Sequence, residues 1–388
     1  MHFAERTAWD LTPNAIAAAL TARRERGDPV LDLTETNPTR CGLSLFNEDT
    51  LTPLASRSAL RYDPDPRGMR SAREAVAAYE SSFGRIVDPD HVLLTAGTSE
   101  AYLFLFRLLC NPGDAVLIPS PGYPLFDHLA DIADVRTAPY RYVYADGWHL
   151  DRESLAIEAR TGLRALLCID PNNPTGTCLV PEEHTWLRRF CAERSLALIV
   201  DEVFRPFRHH GGSNTPPNPG LLSFHLNGIS KALGLPQLKL SWVIVSGPAS
   251  VRDEALRRLD VISDLFLTVN TPVQTALPVL LAQAPRISAA INDRITANRS
   301  RAERLCSGTR VTACRADGGW SLILRLPESE TDESWALEFL NRTGVYVHPG
   351  HLFDIPSGSF AVLSLLLQPD LFDEGLRRIV ATVEEREE

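Results

Sequence analysis

Two lysines stand out in a chain whose other basic residues are all arginine. The 388-residue sequence contains 39 lysines and arginines, of which Lys231 and Lys239 are the two lysines. Arginine replaces lysine wherever a surface cation suffices, but it neither gives up its proton nor acts as an amine nucleophile. A partly desolvated lysine has a lowered pKa and forms a Schiff base with an aldehyde. Lys231 is therefore the first candidate for covalent chemistry, against the alternative of an ordinary surface lysine.

Three further side chains could serve a ring-shaped ligand. Asp201 ends an apolar run, where an unpaired carboxylate is costly. A buried acid facing a ring nitrogen would keep that nitrogen protonated, although Asp201 could equally cap a helix or pair with an arginine. Tyr123 could stack on a ring or pack in the core, and Asn173, which precedes Pro174, could bind the ligand or form a turn.

The segment Gly97-Thr98-Ser99 has the composition of an anion site. It precedes the predicted helix Glu100–Leu109, so backbone N–H groups, two hydroxyls and the helix dipole could all face a phosphate. Many ordinary helices begin in the same way, and by itself the segment is weak evidence.

These groups follow short apolar runs that are typical of β-strands. The runs alternate with helix-length segments, which predicts a parallel or mixed sheet covered on both faces. Open α/β sheets bind ligands beyond the carboxyl ends of their strands, so we expect the groups to meet in one crevice. The predicted strands are Val92–Leu94, Ala115–Ile118, Ala165–Ile169, Leu196–Val200, Leu221–Phe224 and Trp242–Val245.

The order of the motifs resembles the large domain of the class I/II pyridoxal-phosphate-dependent aminotransferases, which have the aspartate-aminotransferase fold. Each motif is common by itself, whereas six in this order are specific, and the resemblance covers nearly the whole chain. The six are Tyr62 with Gly68, Gly97-Thr98-Ser99, Tyr123, the run from Pro171 to Gly176, the run from Asp201 to Phe204, and Ser230-Lys231.

The resemblance implies a role for each matched residue. Lys231 would hold pyridoxal 5'-phosphate as a Schiff base and move the substrate proton. Asp201 would pair with the pyridine nitrogen, Asn173 would bind the phenolic oxygen, and Tyr123 would stack on the ring. A site shared between subunits implies a homodimer. The remaining implied cofactor contacts are Gly97, Thr98, Ser99, Phe204, Ser230, Lys239 and, from a second subunit, Tyr62.

Three positions near the cofactor depart from the family pattern. Phe204 replaces a tyrosine whose hydroxyl lowers the Schiff-base pKa, so we expect a raised pKa for that group, which a spectrophotometric titration measures. Lys239 stands where an arginine generally binds the phosphate. Gly228 stands where a phosphate-binding serine is frequent, so cofactor contacts are fewer or come from the backbone.

A fourth departure affects the substrate. Val362 occupies the position of the arginine that binds the substrate α-carboxylate in relatives. Either another arginine binds that group or the substrate lacks it. Arg40 is the best replacement, together with Thr36 and Asn37, because this segment closes over the substrate in relatives and a guanidinium binds a carboxylate in two places. Alternatively, Arg40 is a solvated loop residue.

Composition excludes several classes of protein. A chain of 388 residues exceeds the about 250–300 at which one core stops growing, and 44% hydrophobic residues argue against disorder. The net charge of −10 argues against nucleic-acid binding. No apolar run approaches the about 20 residues of a membrane span.

Residues 12–27 predict a helix with Thr12 as N-cap, Pro13 at its first position and Gly27 as C-cap, rather than a secretion signal.

The seven cysteines predict reduced thiols. They are odd in number, dispersed and without a CxxC pair, so we expect a cytoplasmic protein and no metal site. The stretch His209–Gly220, rich in glycine, proline, asparagine and serine, predicts a loop inserted between two strands.

Together these observations predict an α/β protein with the pyridoxal-phosphate transferase fold. A large domain, residues 46–285, would bind the cofactor, and residues 1–45 with 286–388 would form a smaller α+β domain. The predicted reaction transfers an amino group between an amino compound and a 2-oxo acid. A C–S lyase or a decarboxylase is the alternative, since substrate contacts select which bond breaks. A non-catalytic regulator is disfavoured because no DNA-binding motif is evident.

Overall fold

An eight-stranded sheet forms the centre of the molecule. The computed structural model describes residues 2–157, 162–209, 219–267 and 269–386. In spatial order the sheet reads β2, β9, β8, β7, β6, β3, β4 and β5. Its strands are β2 (Val92–Thr95), β3 (Ala115–Ser120), β4 (Arg136–Tyr144), β5 (Trp148–Leu150), β6 (Leu163–Ile169), β7 (Ala197–Asp201), β8 (Ser223–Gly228) and β9 (Ser241–Ser246).

Five adjacent strands of this sheet are parallel. Strands β4, β3, β6, β7 and β8 run in one direction, whereas β9 pairs with β8 and with β2 in the antiparallel sense, as β5 does with β4. The predicted mixed, mostly parallel sheet is thereby confirmed. The carboxyl ends of β7 and β8 and the amino end of β9 consequently lie at the same edge.

Helices cover both faces of the sheet, as expected for strands that are apolar on each side. The two helices with predicted bounds, residues 12–27 and Glu100–Leu109, are present with shifted ends. The helices are α1 (Ala15–Glu25), α2 (Arg70–Ser81), α3 (Thr98–Leu109), α4 (Phe126–Ile132), α5 (Arg152–Ile157), α6 (Pro181–Glu193), α7 (Ile229–Ala232), α8 (Ala249–Phe266), α9 (Thr271–Leu281), α10 (Ala284–Cys306), α11 (Asp332–Glu338) and α12 (Pro369–Glu384).

Two apolar clusters hold these layers together. On one face Phe104 of α3 packs with Phe224 of β8, and on the other Phe190 of α6 packs with Leu198 of β7. Side chains alternate across a strand, so the central strands β3, β6 and β7 supply both clusters. Burial on both faces fixes the register and hence the position of every strand end.

A smaller four-stranded antiparallel sheet lies beside the large one. Its loop before β11 reaches the segment that follows β7, where Gly318 forms an isolated bridge with Arg208. A parallel pair, β1 with β12, accompanies it. The strands are β1 (Leu31–Asp32), β10 (Thr312–Ala313), β11 (Ser321–Leu326), β12 (Val345–Tyr346), β13 (His348–Pro349) and β14 (Ser359–Ser364).

The N-terminal helix begins later than the sequence predicts. Asn14, not Thr12, is the N-cap of α1, and its side chain accepts a hydrogen bond from the backbone N–H of Ala17. Pro13 therefore precedes the cap instead of occupying the first helical position. Asparagine caps at least as well as threonine, which explains the shift. Gly27 lies just past the C-cap, with φ of +74°.

Two strand ends also need correction. Strand β8 covers Ser223–Gly228, so the predicted strand Leu221–Phe224 begins and ends too early, and Gly228 belongs to the strand. Asp201 is the last residue of β7 rather than the first residue after it. Most of the loop predicted over His209–Gly220 lies outside the described residues.

Candidate active site

The Lys231 amine lies at the edge of the sheet where the strand ends converge. It is carried by α7, a single turn that follows β8 directly. Burial lowers the pKa of Lys231, and the Asp201 carboxylate acts in the opposite direction. The amine is 5.0 Å from the ring centroid of Trp320 and 5.7 Å from that of Phe204. Burial therefore makes the neutral, nucleophilic form of the amine easier to reach than in a solvated lysine.

Asp201 lines the same cavity from the end of β7. Tyr102, on α3, donates its hydroxyl proton to one carboxylate oxygen, and the backbone N–H of Val203 donates to the other at 3.0 Å. Burial raises the pKa of Asp201 to about 6, while these two hydrogen bonds oppose the rise. The carboxylate is held in one orientation by neutral donors, which leaves its charge uncompensated by a direct ion pair.

Tyr123 and Asn173 complete the walls of the cavity. The Tyr123 ring packs edge-on against Phe126 at 5.5 Å, and burial raises the pKa of its hydroxyl. The side-chain oxygen of Asn173 accepts a hydrogen bond from Ser321 at 3.4 Å, which connects the small sheet to the cavity. Both residues therefore lie where a planar ligand beside Lys231 would contact them.

The predicted phosphate contacts divide into two groups. Thr98 and Ser230 line the cavity, with Gly97 as the N-cap of α3. Ser99 is exposed on the same helix turn. Lys239 and Tyr62 lie at the surface of this single chain, Lys239 with φ of +55° and Tyr62 70% exposed. A second subunit would have to approach for Tyr62 to reach the site.

The segment predicted to bind substrate lies near the loop that follows Lys231. A side chain at Gly234 would approach Pro38 to 3.4 Å. Thr36 and Arg40 are exposed, and Arg40 pairs loosely with Glu35 at 3.7 Å. Asn37 folds onto its own loop and accepts hydrogen bonds from Thr39. The Arg40 guanidinium is thus outside the cavity.

Val362 is an apolar core residue of the small sheet. It is 4% exposed and lies opposite Ile323 in the pairing of β14 with β11. An arginine at this position would require a buried counter-ion. The structure therefore agrees with the sequence in offering no guanidinium here.

Sequence reasoning missed three residues of the cavity region. Tyr102 lies one helical turn beyond Thr98, and no local signal distinguishes it from a core tyrosine. Trp320 is 2% exposed and faces the Lys231 amine from the loop before β11. The preceding pair Gly318-Gly319 was a usable signal, because it permits close approach of this loop to Pro171 and to the Phe207 carbonyl. The third is Ser241, at the start of β9.

A larger groove elsewhere offers less chemistry. It has a volume of about 610 Å³, against about 140 Å³ for the cavity at Lys231, and is lined by residues such as Tyr79, Phe83 and Leu281. Its lining contains no acidic or basic side chain. Perturbed titratable groups mark functional sites better than volume does, so the Lys231 cavity is the candidate active site.

Two negative observations apply to the described residues. No group of three or more His, Cys, Asp and Glu side chains in them is arranged to hold a metal ion. None of the helices there combines the length and the apolar character needed to cross a bilayer.

Comparison with known proteins gives a consistent result. The model of the family "Aminotransferase class I and II" matches residues 32–375. Glutamate-pyruvate aminotransferase AlaA of Escherichia coli K12 is 25% identical over 347 residues, which are 86% of this chain and 85% of that one. Alanine aminotransferase of Mycobacterium tuberculosis H37Rv is 30% identical over 223 residues, 56% of this chain and 52% of the relative.

Solved structures show the same fold. An alanine aminotransferase from Pyrococcus furiosus superimposes with a TM-score of 0.90 at 20% identity, covering 99% of this chain and 100% of that one. A mutant aspartate aminotransferase of Thermus thermophilus superimposes with a TM-score of 0.86 at 21% identity, covering 98% and 99%. The predicted transferase fold is thereby confirmed.

Proposed function

The chain belongs to the aminotransferase class I and II family and is an aminotransferase, and we propose that it uses pyridoxal phosphate held at Lys231. The proposed substrates are an amino acid and a 2-oxo acid. The observation that carries the proposal is the desolvated Lys231 amine, which shares one cavity with the Asp201 carboxylate. The proposed cofactor-binding domain is residues 46–285, with residues 1–45 and 286–388 as the second domain.

The residues of the cavity fit this cofactor. When bound, pyridoxal phosphate supplies an aldehyde that condenses with amines and a ring that accepts electron density. Asp201 has the position to keep a proton on the ring nitrogen, and Tyr102 orients its carboxylate. Tyr123 would stack on the ring and Asn173 would bind the ring oxygen. Thr98, with the N-terminus of α3, would bind the phosphate.

Lys231 would act as the proton carrier of the reaction. Its lowered pKa makes the neutral amine available to take a proton from the substrate and return it to a neighbouring carbon. Trp320 and Phe204, whose rings face the amine, would limit the access of water to this position. With less water, the reacting groups would be protected from hydrolysis and the field of the Asp201 carboxylate would be stronger.

The decisive experiment adds pyridoxal phosphate and then an amino-acid panel to the purified protein. We expect a visible absorbance band with wild type, its loss in Lys231→Ala, and conversion to the pyridoxamine form by the correct amino donor. Lys239→Ala changes the other lysine of the chain and should keep the band, although it should need more cofactor because Lys239 is an implied phosphate contact. A protein without a band, or one unaffected by Lys231→Ala, would contradict the cofactor. Pyruvate release without pyridoxamine would indicate the lyase.

Arg40 is the proposed ligand of the substrate carboxylate. Its segment adjoins the loop after Lys231, and its weak pairing with Glu35 leaves the guanidinium available. We expect Arg40→Ala to raise KM about tenfold or more, in line with the loss of a charged hydrogen bond. Arg26→Ala, which alters an exposed arginine paired with Asp28 at 2.9 Å, is the control. Unchanged KM and kcat would remove Arg40 from the site.

A homodimer with shared active sites would complete the phosphate contacts. Tyr62 is 70% exposed and neighbouring Leu60 is 88% exposed, which suits residues that cover a second subunit. All seven cysteines are free, in keeping with the proposed cytoplasmic location.

A further inference from the structure

The backbones of Gly228 and Ser241 are so close that only one of the two residues can carry a side chain there. They are paired directly across β8 and β9. A Cβ atom added at Gly228 would lie 2.2 Å from the Ser241 hydroxyl oxygen and 2.9 Å from its Cβ. Gly228 has an extended backbone, with φ of −177°, so conformation does not require glycine there. The contact with Ser241 does.

Ser241 lies between the two segments that face the proposed phosphate. Its second cross-strand partner is Thr95, the last residue of β2, which leads into Gly97 and α3. Its first partner, Gly228, leads into Ser230 and Lys231. The central position of β9 thus brings the Ser241 hydroxyl to the same edge as both segments.

The Ser241 side chain opens onto the cavity at Lys231. The residue as a whole is 2% exposed, and it lines this cavity together with Thr98, Ser230 and Lys231. A hydroxyl in this position can donate a hydrogen bond to an anion that occupies the cavity.

We propose that Ser241 donates a hydrogen bond to the phosphate of the cofactor, in place of the serine hydroxyl that residue 228 lacks. The proposal rests on the proposed function. The ligand is a phosphate monoester dianion, an acceptor that a hydroxyl donor and the N–H groups of α3 recognise together. Gly228 and Ser241 form an exchanged pair, in which the hydroxyl comes from the neighbouring strand.

The test compares pyridoxal phosphate with pyridoxal, which lacks the phosphate, in titrations of the apo-protein followed by absorbance. Losing one hydrogen bond to a charged group should weaken pyridoxal phosphate binding about 10- to 100-fold in Ser241→Ala and leave pyridoxal binding unchanged. Ser223→Ala is the matched control. Ser223 is equally buried on β8, but it pairs with Ser246 at the far end of the strand.

A reciprocal exchange provides the second test. Gly228→Ser alone should weaken binding, because the new side chain collides with Ser241. Combining Gly228→Ser with Ser241→Gly should restore the preference for pyridoxal phosphate over pyridoxal. An unchanged preference in Ser241→Ala would overturn the assignment of Ser241. A wild-type protein that binds neither compound would overturn the proposed cofactor itself, so the two failures are distinguishable.

Discussion

Asp201 and Glu202 are consecutive buried carboxylates with opposite electrostatic surroundings. Arg85 binds both oxygens of Glu202 at 2.6 Å, and Arg205 lies 3.3 Å away. These guanidiniums overcome the effect of burial and hold the pKa of Glu202 well below its usual range. Asp201 receives hydrogen bonds from neutral donors, and burial raises its pKa to about 6.

The difference indicates that Glu202 stabilises the fold, whereas Asp201 is available to a ligand. Glu202 belongs to a closed set of charges, since Arg205 also binds Glu80 at 2.8 Å through two nitrogens. Each charge of this network is paired with an opposite charge inside it, which leaves little for a ligand to neutralise. Asp201 keeps a charge that no guanidinium compensates, the condition expected where a ligand completes the site. Asp201 ends β7 and Glu202 follows it, and their side chains contact different partners.

The largest effect is expected from Glu202→Gln. Removing the charge leaves Arg85 and Arg205 buried with one carboxylate fewer, which should lower the free energy of unfolding by about 3–5 kcal/mol. Urea denaturation of the apo-protein measures it. The control is Glu74→Gln, which breaks an exposed pair with Arg70 at 2.8 Å and should cost at most about 0.5 kcal/mol. If both variants lose the same free energy of unfolding, the buried network of Glu202 contributes no more than an exposed ion pair.

Asp201→Asn should change the free energy of unfolding less than Glu202→Gln does. It should stabilise the protein, and by an amount that depends on pH. The raised pKa means that the folded chain keeps this proton up to about pH 6, whereas the unfolded chain loses it near pH 3.8. Raising the pH through this window therefore destabilises the folded apo-protein, by about 3 kcal/mol for about two pH units. The variant lacks this titration.

Urea denaturation across this range measures the prediction. The stability of Asp201→Asn minus that of wild type should increase by about 3 kcal/mol from about pH 4 to about pH 7. Asp63→Asn, at a carboxylate that is 75% exposed, should show no such increase. If the difference for Asp201→Asn is independent of pH, the carboxylate is compensated after all.

Tyr102→Phe should have the smallest effect on stability. The hydroxyl of Tyr102 lowers the pKa of Asp201, so its loss should move the pH dependence of wild type upward and cost about 1 kcal/mol. Tyr140→Phe is the matched control, because Tyr140 is buried and donates to the Leu167 carbonyl at 3.0 Å. An identical pH profile in both variants would show that Tyr102 does not position Asp201.

The sequence predicted those parts of the site that depend on local pattern. Asp201 and Lys231 follow directly from β7 and β8, so the strand pattern and the carboxyl-end rule sufficed to bring them together. Tyr102 enters from within a helix and Trp320 from the loop before β11, and the local sequence indicates neither position. Ser241 was missed because its meaning depends on cross-strand register with Gly228. The domain division stays a prediction.

The helical turn that carries Lys231 begins directly after Gly228, which is paired with Ser241 inside a sheet buried on both faces. Substitutions in this region are therefore constrained during evolution, because a shift of either strand would displace the Lys231 amine and Asp201 together. Trp320 precedes β11 and faces the Lys231 amine from outside β8 and β9, so replacing it leaves the pairing of these two strands untouched. A directed-evolution library aimed at new amino donors should diversify Trp320 and leave β8 and β9 unchanged.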